Sequence, residues 1–153
     1  MQHVTQLWGI PMCFKENPHA ALSARYVLKN SENVAHEVML RIVKSKVDEF
    51  MLLTDNINWN LDEVPQNGNE YLNEVIIYME ALVSIAQQIL PLDALDTVGV
   101  GVLKHISECM VVTLMRDNVK KFNLNVIMGI ENDLKVLESF SEDIFHNTSS
   151  SDL

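Results

Sequence analysis

The stretch DALDTVGVGVLKHISEC, Asp93 to Cys109, decides the fold, because it reads either as a phosphate-cradling glycine loop or as a helix containing two glycines. A dinucleotide fingerprint needs G-x-G-x-x-G between a strand and a helix. Here Gly99 and Gly101 fill the first two positions, but Lys104 stands at the third, and Pro91 with a turn precedes them. A Walker loop, G-x-x-x-x-G-K-[ST], is absent as well. Helical spacing accounts for the residues directly: Leu95, Val98, Val102, Ile106, Cys109 and Thr113 form one stripe with Gly99 beside it. An interior glycine costs about 1 kcal/mol relative to alanine, which leads us to expect a neighbouring helix in close approach. The stretch is therefore read as a helix, with Asp93 complementing the dipole near its start.

The flanking segments carry the same period. Upstream, Glu70 to Leu90 places Leu72, Val75, Ile76, Met79, Leu82, Val83, Ala86 and Ile89 on one face, and Pro91 ends it. Ile77, Ala81 and Ile85 spread beyond that stripe, which predicts a central helix with neighbours on two sides. Before it, INWNLDEVPQNGN reads as a loop through Pro65 and Asn67-Gly68. Earlier still, NSENVAHEVMLRIVKSKVDEFMLLTDN aligns Ala35, Met39, Ile42, Val43, Val47, Phe50 and Leu53. Glu37 with Arg41 and Lys44 with Asp48 are spaced i,i+4 on its polar face, at about 0.2 to 0.5 kcal/mol per pair. A separate shorter helix is expected from Pro18 to Leu28, proline being tolerated in a first turn. Downstream, Asn123 to Phe145 sets Ile127, Ile130, Leu134, Leu137 and Ile144 on one side. The prediction is all-α, an antiparallel helical bundle of about five helices over 18–146. An irregular lead-in over 1–17 and a disordered polar tail over 147–153 complete it.

A chain of 153 residues is long enough for one domain with its own core. Cys13 and Cys109 are far apart without CxxC spacing and read as free thiols, which with the unbasic start MQHVTQLWGIPM points to a cytoplasmic protein. The formal charge of -10 argues against nucleic acid, whose phosphates need clustered Lys and Arg. The acidic excess gathers at Glu131, Asp133, Glu138, Glu142 and Asp143, read as a solvated face. No apolar run is read as a transmembrane insertion.

Catalytic chemistry finds little footing. His105 and Cys109 are spaced i,i+4 with Glu108 nearby, but a closed zinc site takes four ligands and no second pair matches. They are expected as a buried-edge histidine and a core cysteine, so no metal and no cofactor is predicted. No serine or cysteine lies in a nucleophile motif, and no enzyme is expected.

Three long runs carry a resemblance: VDEFMLLTDNINWN, NEYLNEVIIYMEALVSIAQQILPLDALDTVGVGVLKHIS and VKKFNLNVIMGIENDLKVLESF. Their order and lengths resemble the C-terminal helical region of the exocyst complex component 6 family in its plant form, from about Leu7 to His146. The resemblance implies a segment of a long rod of helical bundles without catalytic activity. It also implies a role in tethering secretory vesicles to the plasma membrane before fusion. The implied partners are other exocyst subunits, chiefly component 5, and a GTP-loaded Rab GTPase. A cytoplasmic chain recruited to vesicles and exocytic sites follows from the same resemblance. Family members are several times longer, with further helices after this region, so the chain resembles a fragment or a truncated product.

Phe122-Asn123-Leu124-Asn125-Val126 resembles a Phe-Asn-Leu-Asp-Val stretch of animal members and departs from it at Asn125. The resemblance implies a partner-binding surface at Phe122, Asn123, Val126 and Ile127. The local alternative for Asn123 is an N-cap, worth about 1 kcal/mol. The rival to the whole reading is an unrelated cytosolic helical adaptor, compatible with the same periodicity.

Overall fold

The computed structural model describes residues 18–66, 68–116, 119 and 121–149, the last four as backbone only. The expected lead-in and residues 150–153 of the expected tail lie outside them. Among the described residues there are four α-helices and no strand: α1 (Pro18–Met51), α2 (Glu70–Ala86), α3 (Leu92–Leu114) and α4 (Leu124–Ser149). A 3-10 turn over Leu52–Asn56 continues α1 into the loop.

One helix stands where two were expected. The segment after Leu28 carries Asn30, Ser31 and Asn33, cap-forming types, yet no glycine or proline to stop the backbone. Ser31 Oγ donates back to the Val27 carbonyl at 2.9 Å and Lys29 pairs with Glu32 at 3.1 Å, both along a continuing helix. α4 also runs further than expected, through Ser149.

Contacts divide the chain into two units, Met1–Val38 and Met39–Leu153. In the first, α1 exposes Leu22, Tyr26, Val27 and Leu28. The second holds the core. Val43, Val47 and Met51 of α1, Leu72, Val75 and Met79 of α2, Val98, Val102, Ile106 and Met110 of α3, and Leu137, Phe140 and Ile144 of α4 are buried together. Their spacing of three or four residues is the geometry of a helix burying one face. Each large apolar side chain so buried contributes about 1.5 to 3 kcal/mol. α3 is by length and composition apolar enough to cross a bilayer. Its stripe from Leu95 to Thr113 is instead buried in this core, and Cys109 is half-buried at its edge.

Several apolar side chains assigned to buried faces lie outside them. Ile42, Leu134 and Ile89 are exposed, the last at 74%, because α2 ends at Ala86 and Ile89 falls in the turns leading to Pro91. Ile77, Ala81 and Ile85 are exposed too, so α2 is not enclosed on two sides. Of the two glycines for which a close approach is expected, Gly101 has one and Gly99 does not. A Cβ at Gly101 would stand 2.9 Å from both Leu40 methyl carbons, whereas at Gly99 it would meet Phe145 at an ordinary 3.8 Å.

Candidate interaction site at the start of the last helix

The loop between the 3-10 turn and α2 is fastened to α4 by asparagine side chains. Asn123 Oδ1 accepts from the Val126 N–H at 3.0 Å, the bond of an N-cap. Its Nδ2 donates to the Leu61 carbonyl. Asn125 Nδ2 donates to the carbonyls of Leu61 at 3.0 Å and Asp62 at 2.9 Å, and Asn132 reaches that of Pro65 at 3.3 Å. Loop carbonyls have no ladder to satisfy them, so these amides replace one. Gly129 lets Pro65 lie against α4, since a Cβ there would sit 3.2 Å from the proline ring.

At the end of this seam lies Asp133, 0% exposed, where a solvated acid was expected. Its carboxylate accepts from the Asn69 N–H at 2.8 Å, from the Asn69 side-chain amide, and from the Tyr71 hydroxyl at 3.0 Å. A buried charge is tolerated only when hydrogen-bonded in this way. Asn69 precedes α2 without capping it by its side chain, because that side chain is committed to Asp133. A cavity of about 20 Å³, room for one water, is lined by Trp59, Tyr71, Val126 and Gly129 among others.

Burial first, then the charge and hydrogen bond of Asp133, pushes the Tyr71 phenol well above its ordinary value of about 10. The folded chain thus keeps a proton that the unfolded chain releases above that pH. Stability is expected to be fully retained below pH 10 and to fall above it, at up to about 1.4 kcal/mol per pH unit from this group. Urea denaturation at pH 9 and 11 checks this; Tyr71→Phe, less stable at pH 9, should show the smaller further loss.

The four residues assigned to a partner surface separate. Phe122 and Ile127 are exposed, at 44% and 53%; Asn123 is half-buried and engaged in the cap and the loop; Val126 is buried against the seam. With Phe122 and Ile127 the structure groups Leu124 and Met128, exposed as well. Leu124, Ile127 and Met128 are spaced i, i+3, i+4 and share a helix face. Trp59 meets Phe122 edge to face at 5.7 Å between centroids, holding that ring beside the helix start.

A second cluster joins α1 to α3. Asp48, expected to pair with Lys44, turns to His105, with Oδ1 2.7 Å from Nε2. Cys109 Sγ lies 3.7 Å from each of those atoms. Burial first, then Asp48, pushes the Cys109 thiol up, the opposite of an activated nucleophile. Glu108 is exposed and outside the cluster. Asp48 is 57 residues from His105, so no local spacing could have revealed it.

The family model for the exocyst complex subunit Sec15 C-terminal region matches residues 1–153. The chain belongs to this Sec15 C-terminal family. Among its relatives, the exocyst complex component SEC15A of Arabidopsis thaliana is 47% identical over 97% of the chain, and SEC15B of the same plant 43% over 94%. The exocyst complex component sec15 of Schizosaccharomyces pombe is 25% identical over 74% of the chain and 14% of its own length. The chain spans about a fifth of the two Arabidopsis relatives, 19% and 18% of their lengths. No solved structure matches it. The family replaces the reading as an unrelated helical adaptor.

Proposed function

We propose that the chain is a non-catalytic interaction module of the exocyst, contributing to the tethering of secretory vesicles at the plasma membrane. The family match over the whole chain carries this reading. It acts from the cytoplasm, recruited to vesicles and exocytic sites through a GTP-loaded Rab and through other exocyst subunits, chiefly component 5. The Rab-contacting surface is the exposed apolar face of Phe122, Leu124, Ile127 and Met128 at the start of α4. Such a face, rimmed by polar groups, is the usual form of an interaction site. Asn123 and Val126 support it from beneath: one fixes where α4 begins, the other seats that turn on the loop.

The experiment is capture of purified component 5 and of Rab, loaded with GTP or GDP, on the immobilised chain. Rab retention is expected only with GTP. Ile127→Asp, an exposed change, should weaken it at least about tenfold, a 1.4 kcal/mol loss, with helicity unchanged. Equal Rab binding by wild type and Ile127→Asp overturns the assignment of the surface. Failure to retain either partner overturns the reading itself.

A further inference from the structure

We propose that Asp48 of α1 with His105 and Cys109 of α3 forms a binding site for a divalent cation of the zinc class, clipping the two helices together. The three side chains offer one oxygen, one nitrogen and one sulfur, all within 4.8 Å of one another. That mixed set, carboxylate, imidazole and thiolate, is the one zinc takes, and the thiolate disfavours magnesium and calcium.

The distances fit a tetrahedron. Bonds of about 2.0 to 2.3 Å at tetrahedral angles put ligand atoms roughly 3.3 to 3.7 Å apart. Sulfur already stands 3.7 Å from both the nitrogen and the oxygen. The nitrogen and oxygen, 2.7 Å apart across a hydrogen bond, must separate by somewhat under 1 Å. The Asp48 side chain is 57% exposed and free to make that movement, whereas His105, at 19%, is held. His105 and Cys109 lie one turn apart on the same face of a helix whose core stripe is fixed by burial, so two ligands are preset and one swings in. The exposed side leaves the fourth position to water. A cation here bonds residues of both helices, so it must stabilise the folded chain against the unfolded one.

Cobalt(II), a spectroscopic stand-in for zinc, tests this on the full 153-residue chain kept reduced by a phosphine. The expected result is saturation at one equivalent with a thiolate-to-metal absorption band. Zinc should displace the cobalt and raise the melting temperature. Cys109→Ser should abolish the band, and the exposed change Asp48→Asn should weaken binding at least about tenfold with helicity intact. Cys13→Ser should leave both unchanged. The proposal is overturned if no saturable binding occurs below about 100 µM. A band that persists in Cys109→Ser, or cobalt binding by Asp48→Asn as tight as by wild type, overturns it equally.

Discussion

Asp133→Ala is expected to destabilise the chain by about 3 kcal/mol, a large share of the roughly 5 to 15 kcal/mol that holds a domain of this kind together. The loss comes from three donors left unpaired, the Asn69 N–H, the Asn69 amide and the Tyr71 hydroxyl. Hydrogen bonds to a charged group contribute about 1.5 to 3 kcal/mol each, but the full sum is not reached, because burying the carboxylate itself costs free energy. Asp133→Asn keeps one acceptor and turns an amide toward a donor, so a loss of intermediate size is expected. Urea midpoints of the three proteins check the order. Wild-type stability in Asp133→Ala would mean that the carboxylate is no anchor for the start of α2. Because the same bonds hold the loop that seats α4, the damage should spread to the face around Ile127.

The second large effect is expected in the middle of α3. Ile106 is wholly buried between the stripes of the other helices, and Ile106→Ala removes three carbons that the packed surroundings cannot replace. A loss of about 3 kcal/mol follows, within the 2 to 5 typical of such cavities. Ile77→Ala in α2 makes the same chemical change at an exposed position and should shift stability by no more than about 0.5 kcal/mol. Thermal denaturation of the pair separates this core from one centred on the faces of α2 that point to water.

The contrast marks what the sequence makes legible. In α3 Lys104, Ser107 and Glu108 mark a polar side, and the stripe from Leu95 to Thr113 is buried, while Val100, Val111 and Val112 outside the stripe are exposed. In α2 the period separates the stripe of Leu72, Val75 and Met79, which is buried, from Ile77 and Ile85, but apolar residues lying almost all round suggest a second neighbour where those two face water. In α4, Val126, Ile127 and Ile130 offer two registers. What decides is the Asn123 cap, a local bond to the Val126 N–H that the sequence offers, together with the loop packed on Gly129, whose Pro65 lies more than 60 residues away in the chain. Burial of Asp133 is not legible in the sequence, because a carboxylate among carboxylates reads as solvated. Its three donors come from Asn69 and Tyr71, 62 to 64 residues away. The proposed partner surface is not a matter of spacing: resemblance points to Phe122 and Ile127, and Leu124 and Met128 are exposed beside them.

Hydrogen exchange of the chain with and without GTP-loaded Rab tests that surface most directly. The first backbone N–H groups of a helix lack intrahelical partners and exchange fast, so a protein docked there slows them visibly. The account predicts protection over residues 122–125, ahead of the Val126 and Ile127 N–H groups that Asn123 already satisfies, and absent with GDP-loaded Rab. Rab binding that leaves those amides unprotected and instead slows the exposed face of α2 around Ile77 to Ile85 would contradict it.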